Sequence, residues 1–452
     1  MQDATALSAA IRSGQTTAVD VMEASLSACA ERAELGAVVY LDEEMARASA
    51  RAADAAPQDD RRPFHGVPFL AKDLGGVASG LPASAGSAAL RAAADTPKLD
   101  DDLFGAFRRL GLLPFGRTAT PPFGTSLSCE PEGLPPTCNP WNPQLTPGGS
   151  SGGAAAAVAA GLVAISHATD AGGSIRVPAA CCGLTGLKPS RGAVSAGPGF
   201  DNHLAGIAQG LVLARSIRDV QTAFRSARQP LPAVELSGKP RIGVAVPDVC
   251  GADQRRAVEA VADALRDAGC TVSERPSPDA MGEKAHQLAW SVIGVSLAEW
   301  LGALQLTDDQ VPPLAAALAA EARAVTATGF FAVTRGIARL TYQANTLFAD
   351  CDALLMPVLS QAPPPVGAFD LSGQDPADHR ARMKAFAPNV ALANVAGLPA
   401  LGLPFGMSDG LPLGAQLLGP VGSDAALLAL GERIEARAPS FSFPYPIAGM
   451  PL

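Results

Sequence analysis

The spacing of apolar residues changes character several times along the chain, and each change predicts an element. Over residues 4–34 apolar positions recur every three or four residues, as on one face of a helix. Gly14 breaks that pattern, so two helices are predicted, with Thr16 or Thr17 as N-cap of the second. An alanine-rich helix is predicted over Glu43–Ala55. The helical period then gives way to short apolar runs bounded by turn residues. Gly66–Leu74 and Leu112–Thr118 read as buried strands, with a helix over Asp101–Leu110 between them. Residues 120–149 are dense in Pro, Gly, Asn and Thr and read as ordered loop, followed by a helix at Ala154–Ala160.

Further along, a strand at Arg241–Asp248, a helix at Asp253–Ala268 and a strand at Cys270–Glu274 form one α/β repeat. Strands at Asp352–Leu359, Pro399–Gly406 and Pro412–Gly419 and a closing helix at Asp424–Ala436 complete the reading. Alternation of this kind predicts an α/β fold. Ser226–Pro240 and Ser360–Pro376 are rich in Pro and Gly, yet strands of like character lie on both sides. The expectation is one domain over 1–452, with 226–376 a less regular lobe covering the active site.

Composition narrows the function. The chain has 452 residues, 48% of them hydrophobic and only 17% charged, enough to bury a large core. A net charge of −9 offers no basic footprint for nucleic acid. The start lacks the basic and apolar segments of a signal peptide. The longest near-apolar run, Ala154–Ile165, is shorter than the ~20 residues that span a bilayer. Eight scattered cysteines without a CxxC pair read as reduced packing thiols. A cytoplasmic protein, with neither nucleic acid nor membrane as partner, is expected.

Three stretches carry candidate chemistry. The first, "TPGGSSGG" from Thr146, runs straight into a helix, so its glycines are not those of a linker. A phosphate loop would need a lysine after the glycines, and a dinucleotide fingerprint would need a preceding strand. The run Gly148–Gly152 also fits GxSxG, the nucleophile elbow of α/β-hydrolases, with Ser150 as nucleophile. That motif needs a strand before it, whereas Pro143 and Pro147 precede this one, and none of the five histidines stands in a distinctive context.

In the second stretch, "DAGGSIR", small residues at Ala171, Gly172 and Gly173 let successive backbone N–H groups converge beside the Ser174 hydroxyl, as an oxyanion hole requires. Asp170 and Arg176 flank the turn in an apolar region and could pair to hold its shape. The third is Lys72, at the end of an apolar strand. Burial there lowers a lysine pKa until the neutral amine can act as a base. Strand alternation sends Asp73 to the opposite face.

"GVPFLAKD", "PGGSSGG", "DAGGSIR" and "CGLTGLKPSRG" stand in the order and spacing of the amidase signature family, which this sequence resembles. "NPW" (139–141), "DALLMPV" (352–358), "NVAGLPALGLPFG" (394–406) and "GLPLGAQLLG" (410–419) extend the likeness over nearly the whole chain, least over 226–350. The resemblance implies a large central mixed β-sheet flanked by helices on both faces and a Ser–cis-Ser–Lys triad. By motif position Ser174 resembles the nucleophile, Ser150 the bridging serine with the cis peptide, and Lys72 the base. The amides of Ala171, Gly172, Gly173 and Ser174 would hold the oxyanion, Ser151 would add a supporting hydrogen bond, and neither metal nor organic cofactor enters. Four positions depart from the family: Ala171 stands where Thr is usual, Arg117 and Ala119 alter the strand before the loop, and Pro122 replaces a frequent Glu. These positions read as scaffold or pocket wall, so they bear on substrate choice rather than on the chemistry.

The resulting expectation is a serine amidohydrolase, monomer or homodimer, cleaving a C–N bond of a small hydrophobic amide or carbamate. Aryl acylamidases, nylon-oligomer hydrolases and urethane-cleaving enzymes are its nearest likenesses. Phe123, Gly124, Thr125 and Gly149, the Gly197–Gly206 loop with Phe200, and the Met383–Asn389 stretch are the expected pocket walls. The glutaminase subunit of a tRNA amidotransferase is an alternative, but nothing announces a partner subunit or an α-amino-acid grip. A non-catalytic module should have lost Lys72 or Ser174, and both remain.

Overall fold

The computed structural model describes residues 2–57, 59–195, 197–198, 203–236 and 238–451. The strands are β1 (Val38–Leu41), β2 (Val67–Lys72), β3 (Leu112–Thr118), β4 (Ile165–Asp170), β5 (Thr185–Lys188), β6 (Gln209–Ala214), β7 (Arg241–Val244), β8 (Thr271–Glu274), β9 (Ala353–Pro357), β10 (Ala400–Ser408) and β11 (Leu411–Leu418). They form one sheet in the order β1-β3-β2-β4-β6-β5-β10-β11-β9-β7-β8. The sheet is mixed: β3, β2 and β4 run parallel, as do β8, β7 and β9, while the strands between pair antiparallel. Every residue of β2, β4, β5, β6 and β9 is buried, so both faces of the central strands are covered, and helices provide that cover.

The local reasons are those of the sequence. Thr17 caps the helix Ala18–Glu31 by accepting the Asp20 N–H, and Asp101 caps Asp102–Arg109 through the Phe104 N–H. The helix Gly152–Ala159 is buried on all sides, and its small residues permit that: a Cβ on Gly153 would sit 2.4 Å from the Ala119 nitrogen. The strand β4, ISHATD, is polar yet wholly buried and has no counterpart in the hydropathy pattern.

The region 226–376 contributes β7, β8 and β9 to the same sheet and carries the helices Asp279–Ala303, Pro313–Arg323 and Ala327–Ala344, the first and last of which pack against Leu354, Met356, Ala400 and Leu418 of the sheet. Leu297, Leu301, Leu314 and Leu318 of these helices pack with Phe123 and Leu371 in one apolar cluster, which seats the helical layer over the loop after β3. All eight cysteines are unpaired thiols, and Cys138 alone is not buried. Among the described residues no single helix is long and apolar enough to cross a membrane.

Candidate active site

The parallel trio β3-β2-β4 delivers Lys72 and Thr169 to one end of the sheet. Lys72 is fully buried, and its Nζ donates to Ser150 Oγ (2.8 Å) and Thr169 Oγ1 (2.9 Å). Burial pushes its pKa down from 10.5 to about 7, more strongly than Cys129 and Asp170 push it up. Asp73 turns away, as alternation requires. Its carboxylate accepts from Ser84 N–H (2.7 Å), Ser84 Oγ (2.5 Å) and Gly86 N–H (3.0 Å). Arg117 is scaffold: its buried guanidinium donates to the carbonyls of Lys72, Gly76, Leu81 and Pro82, fixing the end of β2 to the chain beyond it.

Ser150 follows a cis peptide bond from Gly149. The loop packs tightly, because a Cβ on Gly149 would lie 2.1 Å from the Ser128 carbonyl oxygen. Thr120 Oγ1 donates to Ser150 O (3.0 Å). Ser151 stitches the loop to β4: its Oγ donates to Thr169 O (3.1 Å) and accepts the Thr169 N–H (3.3 Å). The Ser151 N–H donates to Ser174 O (3.3 Å), which ties the two serine-bearing turns together.

The second turn is organised around Asp170. Its carboxylate accepts from Gly173 N–H (2.6 Å), Ile175 N–H (3.2 Å), Asn394 Nδ2 (2.9 Å) and two nitrogens of Arg176 (3.0 and 3.1 Å). Both charges are completely buried. Burial alone would raise the Asp170 pKa, but the Arg176 charge and the hydrogen bonds outweigh it and hold the carboxylate well below its ordinary range. Arg176 also donates to Gln416, Asn394 and the Val390 carbonyl.

One expected donor is thereby removed. The Gly173 N–H is spent on Asp170, so it is not available to an incoming oxygen. The N–H groups of Ala171, Gly172 and Ser174 have no partner among the described residues. The Ser174 hydroxyl likewise makes no hydrogen bond among them, so Ser150 and Ser174 are not directly bonded here. Ser174 instead opens on a cavity of about 50 Å3.

Of the expected pocket residues, Gly124, Thr125, Met383 and Ala387 line this cavity with Ala171, Gly172 and Ser174. Phe123 does not: its ring packs edge-on against Trp300, 5.5 Å between centroids, inside the helical layer. Gly149 does not either, being pressed against Ser128. Phe200 lies outside the described residues, and the described part of Gly197–Gly206 contributes nothing to the lining. The far wall is His286, Ala289, Trp290 and Ile293, which sequence reasoning missed. Their recurrence at helical spacing was the available signal, but it is the signal of any core helix.

The nucleophile-elbow arrangement is absent. No strand lies between residues 119 and 151, and no histidine among the described residues hydrogen bonds to Ser150 or Ser174. His167 accepts the Lys72 backbone N–H through Nδ1 (3.3 Å), His379 meets the Thr125 carbonyl (3.0 Å) and His286 the Arg380 carbonyl (3.2 Å). Among the described residues no group of three or more His, Cys, Asp or Glu side chains could hold a metal ion.

A buried amine of depressed pKa against a serine hydroxyl, beside a turn of free N–H groups that carries a second serine, is equipment for nucleophilic acyl transfer. A family model described as Amidase matches residues 20–428. The chain belongs to the amidase signature family. This amidase is 32% identical to the 6-aminohexanoate-cyclic-dimer hydrolase of Paenarthrobacter ureafaciens, over 97% of this chain and 95% of that one. It is 31% identical to the enzyme of the same name from a Pseudomonas species, over the same shares. A solved structure of 6-aminohexanoate cyclic dimer hydrolase superposes with a TM-score of 0.89 at 29% identity, covering 97% of each chain. This amidase is therefore a hydrolase acting on amide C–N bonds, built on the mixed-sheet fold of its relatives.

Proposed function

We propose that this amidase hydrolyses small, uncharged amides or carbamates through an acyl-enzyme on Ser174. One observation carries the reading. Lys72 Nζ sits 2.8 Å from Ser150 Oγ with no counter-ion in contact and a pKa near 7, next to the turn of unengaged amides that bears Ser174.

Neutral Lys72 takes the proton of Ser150 while Ser150 takes that of Ser174, and Ser174 Oγ attacks the carbonyl carbon. Catalytic hydrogen bonds often tighten only in the Michaelis complex, and the Ser150–Ser174 leg would close there. The developing oxyanion is received by the amides of Ala171, Gly172 and Ser174; removal of one such donor elsewhere costs about 3 kcal/mol of barrier. Asp170 holds the turn in shape without joining the proton path. Ser150 returns a proton to the departing nitrogen, and water releases the acyl group by the reverse route.

Leu127, Ile293, Met383 and Val390 make the inner wall apolar, which favours an uncharged acyl portion. The test is a panel of anilides, aliphatic amides and aryl carbamates assayed with wild type and Ser174→Ala. A fall of at least about 10^4-fold is expected in the variant, with a stoichiometric acyl adduct on wild-type Ser174 by mass spectrometry. Unchanged turnover in Ser174→Ala would remove the nucleophile.

A further inference from the structure

The helix Asp279–Ala303 has cavities on two sides. Ala289 and Ile293 face the inner cavity with Ser174; Glu283, Gln287, Ser291 and Gly294 face an outer, solvent-open groove of about 430 Å3. His286 and Trp290 border both. The outer space is a solvent-open groove whose lining includes Leu318, Ala322 and the exposed Val325, with two ion pairs along it: Lys384 to Glu283 (2.6 Å) and Arg380 to Glu321 (2.8 Å).

His286 is pinned by its contact with the Arg380 carbonyl (3.2 Å). Trp290 is wedged between His286 and His379, 6.3 Å from each ring centroid. The inner space, about 50 Å3, is far smaller than the outer one.

We propose that Trp290 is the specificity-determining residue that sets the length of the acyl group this amidase accepts. The proposal rests on the reading of Ser174 as nucleophile. Ser150, which would return the proton to the nitrogen, is not among the cavity's lining residues, so the amine departs on its side and the acyl portion occupies the inner cavity. A short acyl group fits there with Trp290 in place. A longer chain meets the indole, and removing the indole joins the two spaces.

The experiment measures kcat/KM for acetyl, butyryl and octanoyl p-nitroanilides with wild type, Trp290→Phe and Trp290→Ala. In parallel, inactivation rates with ethyl and octyl fluorophosphonates are measured, with the adduct located by mass spectrometry. Wild type should favour the short acyl group. Trp290→Ala should raise the octanoyl-to-acetyl ratio at least tenfold, with Trp290→Phe intermediate, and the two phosphonates should follow the same order. A global loss of folding would depress both chain lengths and leave the ratio unmoved, so the ratio isolates the wall. An unchanged ratio in active Trp290→Ala overturns the inference while leaving the nucleophile intact. If no anilide is turned over and Ser174 stays unlabelled, the nucleophile reading fails and takes this inference with it.

Discussion

Replacing Lys72 by methionine should make the protein more stable at neutral pH while abolishing its activity. The depression from 10.5 to about 7 arises because the folded protein resists an ammonium where no carboxylate touches it. At about 1.4 kcal/mol per pH unit, that places the burden of the buried charge at about 5 kcal/mol. The sign follows from proton linkage. Between pH 7 and 10.5 the unfolded chain holds the proton that the folded one has released, so wild-type stability rises with pH, and below pH 7 the full burden is present. Methionine removes the burden but leaves Ser150 and Thr169 without their donor, a loss of about 1–3 kcal/mol. Lys72→Met should therefore be about 2–4 kcal/mol more stable than wild type at pH 7. The advantage should shrink by about 1.4 kcal/mol per pH unit and reverse between about pH 8.5 and pH 10. Lys188, also pushed down to about 7 by burial, is present in both proteins and cancels in the difference. Urea unfolding of the pair from pH 6 to pH 10 measures this. A difference that stays flat with pH would refute a neutral buried amine.

Three other outcomes follow from the same geometry. Wild-type kcat/KM should climb on the acid side with a midpoint near pH 7 as Lys72 loses its proton, read from a pH–rate profile; a limb confined to pH 9 or above would contradict it. Gly172→Ala should melt within about a degree of wild type, since its Cβ meets nothing within 4 Å. Gly173→Ala, at φ +115 with Val390 Cγ2 at 2.8 Å, should lose about 1–3 kcal/mol in the same thermal scan. Arg176→Met should cost about 3–5 kcal/mol by leaving Asp170 buried and unpaired. Adding Asp170→Asn to it should cost much less than the sum of the two single changes, as a double-mutant cycle in urea would show.

Much of the fold and most of the candidate site could be read from the chain because they depend on local order. Strands β2 and β3 and the helix Glu43–Ala55 follow from apolar period and caps, since burial of one face is a local property of spacing. Lys72, Ser150, Ser151, Asp170, Ser174 and Arg176 lie in short stretches whose order and spacing carry the family resemblance, which is what singled them out. The Asp170–Arg176 pair spans a single turn, so its partners could be named in advance.

Three features were decided only in three dimensions. Strand β4 hides its polar side chains by hydrogen bonds to distant groups, Ser166 to Leu70 O and Thr169 to Lys72, so hydropathy could not reveal it. Whether Gly173 offers its N–H to a substrate or to Asp170 depends on where one carboxylate comes to rest, a matter of angstroms that residue types do not encode. The wall at Trp290 stands more than a hundred residues from Ser174 in sequence, brought there by helices that pack Leu297, Leu301 and Leu318 over the Phe123 loop. Spacing along the chain determined which groups could react with one another. The packing of helices against the sheet and the Phe123 loop, which sums many weak contacts between remote segments, decided how much room they have to react in.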